Sequence, residues 1–538
     1  MGFPARNRSV LVLVCLLAAL LPALALAQGA ERGPWKFGII SDTQWSPAEG
    51  RPGRGVATEI IDNVNEQFIA HGVEFVIAVG DVTDNGSRDP SELDIRARHT
   101  AALHRRGIGF FPLRGNHEWS VAAARQWPRS FPRLPGLPGF RGGTRYFEAG
   151  SPDLPGLAGL TYSFSFGNAT FLLLDIFAVD DGSASGTTYS IHEQQEWITE
   201  QLESASRAGR HAFLFAHKNL LGQNHKDNVF GDPLDQDDPG DRGEDLGEIA
   251  GAFYRAMHGN GARYFFCGHD HIYHRAIVRS PQAPEALTIQ QIITGSNSHK
   301  MYSPKPPYSD NEIPLMQQRR AVGYLIVTVD GPRVQVDTYA VVMPGEGSLQ
   351  GWEPVEQWPL LDRFGYSANG QSFVVGRGES LTAVADRAPT GDEYLGTVMR
   401  ILDGTNDRAG IIEEADAADN RECSNLVATG WSPRTDGARS DILHLWGMRT
   451  TPGSAQTSEY VLALSYEGAS ADGLALLSRD EAGRWVNAVS LNTGGEPRAV
   501  MGPYRPEYGL GTYGIDPARR VAWAVVNHDG EFVASVQP

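Results

Sequence analysis

The chain has 538 residues, of which 41% are apolar and 20% charged, with 61 glycines and 33 prolines. This glycine and proline content lies below the roughly 25–30% that marks low-complexity chains, so disordered and collagen-like proteins are excluded. The formal net charge of −18 disfavours nucleic acid as a stable partner and disfavours anionic membranes, because both are negatively charged.

The N-terminus has the pattern of an export signal. Arg6 and Arg8 precede an almost wholly apolar stretch, and Ala25-Leu26-Ala27 forms a small-x-small cleavage site before Gln28. The sequence predicts a signal peptide over residues 1–27, no membrane span after its cleavage, and a secreted or periplasmic protein. The alternative interpretation is an uncleaved membrane anchor.

Export would remove Cys15 and leave Cys267 and Cys423 of the three cysteines. Two cysteines allow one disulfide at most, so a disulfide scaffold and a cysteine-based zinc site are both excluded. Cys267 ends an apolar run, which predicts a buried thiol.

The first part of the mature chain alternates apolar runs with amphipathic stretches. In order, it predicts strand Trp35–Ser41, helix Val56–His71, strand Val73–Gly80, helix Glu92–Arg106 and strand Gly109–Leu113. Polar residues follow each strand, and α/β sheets bind ligands at the carboxyl ends of their strands. A long loop rich in proline and glycine is predicted over Gly115–Leu160, where we expect a lid or a binding loop.

The pattern then changes gradually from α/β to all-β. We predict strands Thr161–Phe166 and Thr170–Asp175 around a Gly167-Asn168 turn, helix Ile191–Leu202, strand His211–Ala216, helix Leu246–Met257 and strand Arg263–Cys267. A closing run of antiparallel strands is predicted at Ala276–Val278, Leu287–Thr294, Gly323–Asp330 and Val334–Tyr339. Residues 343–359 are rich in Gly, Pro and Trp and are assigned as a linker. Residues 360–538 are predicted to form an all-β accessory domain, with strands at Tyr460–Tyr466, Gly473–Ser478, Arg484–Leu491, Arg520–Val526 and Glu531–Val536.

Polar clusters follow the predicted strand ends. They are Asp42-Thr43-Gln44, Gly80-Asp81-Val82-Thr83-Asp84, Gly115-Asn116-His117-Glu118, His217-Lys218, Gly268-His269-Asp270-His271 and Asn297-Ser298-His299. Carboxylates, imidazoles and amides suit first-row divalent ions such as Zn, Mn or Fe. We expect the glycines to allow tight turns off the strands. Each cluster alone has a structural alternative, a turn or a buried core histidine; the ordered set indicates a metal site.

Five of these clusters resemble, in order, the motifs of the calcineurin-like metallophosphoesterase family: Asp42-x-Gln44, Gly80-Asp81-x-x-Asp84, Gly115-Asn116-His117-Glu118, His217 and Gly268-His269-x-His271. The resemblance implies a four-layer αββα sandwich over residues 33–342 and two adjacent divalent ions (Mn, Fe or Zn). By position, the first ion would bind Asp42, Gln44, Asp81 and His271. Asp81 would bridge to the second, bound by Asn116, His217 and His269. His117 would act beside the substrate, as a general acid or as a stabiliser of phosphoryl oxygens.

Gln44 departs from the family pattern, which has histidine at this position. An amide oxygen is a harder and weaker donor than imidazole. We therefore expect the first site to bind its ion more loosely, or to favour Mn, Mg or Fe over Zn.

The expected function is that of an exported hydrolase of phosphoric ester bonds, acting on a small phosphomonoester by attack of a metal-bridging hydroxide. Two alternatives stay open: a phosphodiesterase or nucleotide hydrolase of the same fold, and a non-catalytic surface-binding protein that retains it. A surface or glycan contact through the C-terminal domain is a further hypothesis; Trp485 and Trp523 are its candidates, with core packing as the alternative. Further candidates for contact with an anionic substrate, each with a solvated loop as the alternative, are Lys218, His225, Lys226, His299, Lys300 and Tyr302.

Overall fold

The computed structural model describes residues 33–45, 55–183, 186–231, 246–284, 286–306, 308–345, 349, 351–382, 392–407, 411–412, 421–449, 451–468 and 470–537. The predicted signal peptide lies outside these ranges. None of the described helices is long and apolar enough to cross a membrane. The chain divides into two compact units, the first comprising Met1–His271, Val278–Lys300 and Ser348–Trp352, and the second Ile272–Ile277, Met301–Gly347 and Glu353–Pro538. The predicted boundaries of domains and linker stay predictions.

The helices are α1 (Thr58–His71), α2 (Glu92–Arg98), α3 (Ala101–Arg105), α4 (Val121–Ser130), α5 (Ile191–Arg207) and α6 (Leu246–Gly259), with 3-10 turns at Asn116–Glu118 and Ala488–Leu491. The strands before residue 300 are β1 (Trp35–Ile40), β2 (Gln44–Trp45), β3 (Gly55–Val56), β4 (Phe75–Val79), β5 (Gly109–Leu113), β6 (Phe147–Gly150), β7 (Tyr162–Phe166), β8 (Ala169–Leu174), β9 (Ala178–Val179), β10 (Thr187–Thr188), β11 (His211–Ala216), β12 (Tyr264–Cys267), β13 (Tyr273–Arg279) and β14 (Thr288–Thr294). The later strands are β15 (Glu312–Gln318), β16 (Ala321–Asp330), β17 (Arg333–Val342), β18 (Leu360–Ser367), β19 (Ser372–Val375), β20 (Glu393–Tyr394), β21 (Thr397–Gly404), β22 (Ile411–Ile412), β23 (Arg421–Glu422), β24 (Asn425–Ser432), β25 (Ile442–Trp446), β26 (Gln456–Ser465), β27 (Leu474–Arg479), β28 (Trp485–Asn487), β29 (Arg498–Met501), β30 (Thr512–Asp516), β31 (Val521–His528) and β32 (Gly530–Val536).

The first unit contains two sheets with parallel cores. In one, β1 and β5 lie on either side of β4, and both pair with it in parallel. In the other, β8, β11, β12 and β14 are parallel neighbours, while β7 and β6 extend the β8 edge in antiparallel fashion. The parallel strands are almost wholly buried, as expected for sheets that are covered on both faces.

An aromatic layer joins the two sheets face to face. The ring of Phe37 on β1 lies 5.1 Å from that of Phe171 on β8, and the ring of Phe75 on β4 lies 5.5 Å from that of Phe164 on β7. Helices cover the outer faces: α1 and α3 pack on the first sheet, and α5 and α6 on the second. The α/β class and the αββα order that the resemblance implies are confirmed.

Besides short strands such as β9 and β10, three differences from the sequence prediction lie before residue 300. The predicted loop Gly115–Leu160 contains α4 and β6, because the Ser120 hydroxyl accepts a hydrogen bond from the Ala123 amide and starts a helix. The predicted helix Glu92–Arg106 is two helices, since the Thr100 hydroxyl donates to the Ala97 carbonyl where α2 ends. Strand β14 is parallel to β12 rather than part of an antiparallel run.

The second unit is rich in strands, which confirms the predicted β-rich accessory region. Strands β16, β17 and β18 form an antiparallel set, and two six-stranded sheets follow in the orders β19-β24-β25-β32-β27-β28 and β20-β21-β26-β31-β30-β29. Trp431 and Leu462 belong to a buried core in this unit. Both Cys267 and Cys423 are free and buried, as expected of Cys267.

Phe171 is one of the central residues of the aromatic layer, because its ring lies 5.0 Å from Phe164 and 5.4 Å from Phe213 as well as beside Phe37. We expect Phe171→Ala to lower the free energy of unfolding by about 3–5 kcal/mol through lost burial and the cavity left behind. Urea unfolding followed by circular dichroism measures this change. The surface variant Glu200→Gln, whose side chain is exposed, should change it by less than about 0.5 kcal/mol. An unchanged urea midpoint for Phe171→Ala would contradict the role of the layer.

Candidate metal centre

The carboxyl ends of five strands meet at one edge of the first unit. Asp42 and Gln44 follow β1, Asp81 follows β4, and Asn116 follows β5 in the first sheet. From the second sheet, His217 follows β11, and His269 and His271 follow β12. All are buried except Asn116, which is half-buried. The structure therefore brings together all seven residues that the sequence predicts as metal ligands.

Asp81 lies at the middle of this group. The carboxylate oxygen Oδ1 of Asp81 is 3.3 Å from His217 Nε2, and its Oδ2 accepts a hydrogen bond of 3.0 Å from Gln44 Nε2. One ligand atom from each of Asp42, Asp81 and His217 lies within 4.8 Å of the others. This spacing is compatible with their binding one cation.

On one side of Asp81, three groups direct lone pairs at one another. His217 Nδ1 lies 3.0 Å from the Val79 carbonyl, which only accepts, so Nδ1 carries a proton, and Nε2 has a lone pair when the ring is neutral. That Nε2 faces Asn116 Oδ1 at 3.0 Å, and the same oxygen faces His269 Nδ1 at 2.9 Å. Acceptors in such proximity are stabilised by a cation between them.

On the other side of Asp81, buried acceptor atoms also face one another. His271 Nδ1 donates to the Lys300 carbonyl at 3.1 Å, so its Nε2 lone pair faces Asp42 Oδ1 at 3.5 Å. Asp42 Oδ2 and Gln44 Oε1 are buried without a hydrogen-bond partner. A half-turn of the Gln44 amide exchanges its Nε2 with this oxygen, so the residue can also face a cation as an oxygen ligand. The donor set therefore fits divalent ions on both sides of Asp81.

Burial and neighbouring charges shift the pKa values of the buried ligand candidates. Burial raises the pKa of Asp42 to about 7 and lowers that of His271 well below its ordinary value. Burial also opposes the charge of His217, but Asp81 outweighs it and raises the pKa of His217 to about 9. For Asp81, burial raises the pKa, yet His217 and His117 lower it well below the usual range. A cation would displace the protons that Asp42 and His217 otherwise retain.

Backbone strain is concentrated at these residues. Eight described non-glycine residues have positive φ, and four of them are ligand candidates: Asp42 (49°), Asp81 (44°), His269 (72°) and His271 (51°). Left-handed backbone is costly for residues with a Cβ and clusters at functional sites.

The positions before the ligands require glycine for two different reasons. Gly80 has φ 78° and makes the expected turn. At Gly115 a Cβ would lie 2.1 Å from Asp81 Oδ1, and at Gly268 it would lie 2.4 Å from Asp42 Oδ2. Gly115 leaves room for a carboxylate from the neighbouring strand, and Gly268 for one from the other sheet.

A group of residues behind the ligands orients them. Asp227 accepts from His269 Nε2 at 3.2 Å and pairs with Lys218 Nζ at 2.9 Å. Asp270 accepts a hydrogen bond of 2.8 Å from His225 Nδ1 and therefore lies behind the site. The ring of His225 packs on that of His269, with 4.1 Å between the ring centres. Sequence reasoning missed Asp227, because a single acid in a polar loop gives no periodic signal.

His117 lies at the rim of the site, with 20% of its side chain exposed. Its amide donates to Asp81 Oδ1 at 2.9 Å, and its Nδ1 donates to the Asp84 carbonyl. Its Nε2 lies 2.7 Å from Lys300 Nζ. Among the remaining candidates for substrate contact, His299 is buried with its ring 5.7 Å from that of Trp45, and Lys226 is exposed. The structure thus brings Lys300, and not His299, beside His117.

Comparison with protein families gives one match. Residues 36–273 match the family model described as "Calcineurin-like phosphoesterase". A search of curated proteins gave no match. The matched range contains every ligand candidate from Asp42 to His271.

Solved structures give more distant likenesses. One is GAP50, the anchor in the inner membrane complex of Plasmodium, with 12% identity over 59% of this chain and 89% of that chain and a TM-score of 0.36. A dimetal phosphatase from Danio rerio has 16% identity over 59% of this chain and 98% of that chain, with a TM-score of 0.37. Purple acid phosphatase PPD1 from yellow lupin (Lupinus luteus) seeds has 16% identity over 62% of this chain and 54% of that chain, with a TM-score of 0.38.

The close approach at Gly115 generates a prediction. We expect Gly115→Ala to weaken metal binding about 10- to 100-fold, because its Cβ would displace the Asp81 carboxylate from the ligand set. Isothermal titration of the metal-stripped protein with Mn or Zn measures the affinity. Gly150→Ala is the matched control, since a Cβ there meets nothing within 4 Å. Equal affinities in the two variants would contradict the assignment of Asp81 as a ligand.

Proposed function

We propose that this protein is an exported hydrolase that acts on phosphomonoesters with two divalent ions. The proposal starts from the match of residues 36–273 to the calcineurin-like phosphoesterase family. The observation that carries the proposal is the arrangement around Asp81: buried lone pairs from two sheets face one another on both of its sides. The loop positions that present them are the ones at which α/β sheets bind ligands.

The proposed ligands of the first ion are Asp42, Gln44, Asp81 and His271; those of the second are Asp81, Asn116, His217 and His269. Manganese, iron and zinc are the candidate metals. Bound there, the ions supply Lewis-acid polarisation of the phosphoryl oxygens and activation of a water molecule.

The chain's own residues position these groups. The carbonyls of Val79 and Lys300 fix the Nδ1 protons of His217 and His271 and so direct both Nε2 atoms into the site. Asp227 accepts from His269 Nε2 and leaves its Nδ1 to face Asn116. These contacts pre-orient the ligands.

His117 is the proposed catalytic residue that meets the ester. Its Nδ1 proton is engaged by the Asp84 carbonyl, so any proton that it gives to the leaving oxygen comes from Nε2. Its amide holds the Asp81 carboxylate, which couples its position to the metal site.

The glycan hypothesis gains nothing from Trp523. This side chain is 1% exposed, stacks on Tyr508 at 5.7 Å and donates to the Gly502 carbonyl. Trp485 is half-buried with the Arg479 guanidinium 4.6 Å from its ring centre. A surface contact of the C-terminal region remains a hypothesis without a defined residue.

Hydrolysis of a paired phosphomonoester and bis-aryl phosphodiester tests the proposed activity. We expect the metal-stripped protein to regain turnover when Mn, Fe, Zn or Mg is added, with the monoester preferred. His117→Ala should lower kcat about 10²- to 10⁴-fold, the range for loss of a general acid. Asp81→Asn should lose both metal and activity, and Glu200→Gln should match the wild type. Two ions bound per chain without turnover of either ester would contradict the proposal and favour the surface-binding protein.

Export is tested separately. We expect protein recovered outside the cytoplasm to begin at Gln28, as read by intact mass and N-terminal sequencing, because signal peptidases cleave after small residues. Ala27→Glu should accumulate as the uncleaved precursor. An exported wild type that retains Arg6 and Arg8 would support the anchor interpretation instead.

A further inference from the structure

We infer that Lys300, held against His117, binds a phosphoryl oxygen and makes the site select doubly charged phosphomonoesters over singly charged phosphodiesters. The inference rests on the proposed function and adds a residue that determines its substrate class.

Lys300 is fixed in the site by its backbone. Its carbonyl accepts from His271 Nδ1 at 3.1 Å and from the Ser296 hydroxyl at 2.8 Å, and its amide donates to the Ser298 hydroxyl at 3.0 Å. The side chain is 20% exposed. A lysine anchored at both backbone groups and four-fifths covered does not belong to a solvated loop.

The hydrogen bond between Lys300 and His117 has one possible direction while the imidazole is neutral. The Asp84 carbonyl takes the proton on His117 Nδ1, so His117 Nε2 accepts from the ammonium at 2.7 Å. In this state the acceptor carries no charge, so the bond does not neutralise Lys300; when His117 gives an Nε2 proton to the leaving oxygen, the bond to Lys300 must be broken.

The carboxylate nearest to Lys300 is not close enough to neutralise it by a direct hydrogen bond. Asp84 Oδ1 lies 3.7 Å from Lys300 Nζ, beyond ordinary hydrogen-bond length. Asp84 Oδ1 also lies 3.7 Å from His117 Nδ1, so its charge is shared with the imidazole. An ammonium has three N–H donors, and only one is used by His117. The remaining donors are available for an anion at the rim of the site.

The chemistry of phosphate esters identifies that anion. A phosphomonoester is a dianion above its second pKa of about 6 and has three non-bridging oxygens. A phosphodiester is a monoanion, and its second ester group occupies the place of the third oxygen. A cation beside His117 would gain a charge-assisted hydrogen bond from the monoester and meet a neutral substituent in the diester.

The test compares Lys300→Met, Lys300→Arg and wild type, loaded with the same metal, on a monoester and a diester with the same leaving group. Near pH 8, we expect Lys300→Met to lower kcat/KM for the monoester about 10- to 100-fold, mainly through KM, the range for one hydrogen bond to a charged group. Diester turnover should change by less than about threefold. Lys300→Arg should retain most of the monoester preference. Lys305→Met is the matched control, because Lys305 is exposed.

A second readout does not depend on turnover. Calorimetric titration with inorganic phosphate should give a Kd about 10-fold or more higher for Lys300→Met, while the Kd of dimethyl phosphate stays as in the wild type. Metal content should be unchanged, because His271 contacts the carbonyl of Lys300 and not its side chain. Equal losses on both esters, or an unchanged phosphate Kd, would overturn the inference. A wild type that binds phosphate through Lys300 but turns over neither ester would overturn the proposed activity alone.

Discussion

The site depends on one electrostatic conflict. Asp81 and the lone pairs of His217, Asn116, Asp42 and His271 are brought within a few ångströms of one another in a buried environment. Acceptors that face one another there are unfavourable without a positive charge between them, because water cannot solvate them. The two sheets, the glycines that allow close approach and the carbonyls that fix the histidine tautomers all serve to maintain this arrangement. The domain therefore holds together a set of donor atoms that suits cations.

Much of this organisation could be predicted from the sequence, because local patterns determine it. Strands Gly109–Leu113 and His211–Ala216 have the predicted bounds, since each is a short apolar run followed at once by polar residues. The ligand candidates follow apolar runs of the same kind, and a family model of the kind they indicate matches residues 36–273. Helix α4 and strand β6 were missed because the prolines and glycines around them conceal a short amphipathic pattern.

Contacts between distant segments could not be predicted in the same way. Lys300 and His117 are 183 residues apart, and no periodicity relates them. The direction of β14 likewise depends on how the chain returns to the sheet, which a strand's own composition does not encode. Gln44 is an intermediate case: the sequence identifies it as a departure, and the structure adds that its amide nitrogen faces Asp81 while its oxygen is unpaired.

The left-handed backbone at Asp42, Asp81, His269 and His271 has a thermodynamic consequence. Strained conformations of this kind each cost on the order of 1–3 kcal/mol and persist only where other interactions outweigh them. A ligand that binds only the folded chain stabilises it in proportion to the logarithm of the free ligand concentration. With metal bound as proposed, the folding equilibrium of this domain would be linked to the metal supply of the compartment in which it folds. A change in free metal concentration would shift the population of folded protein as well as the occupancy of its site.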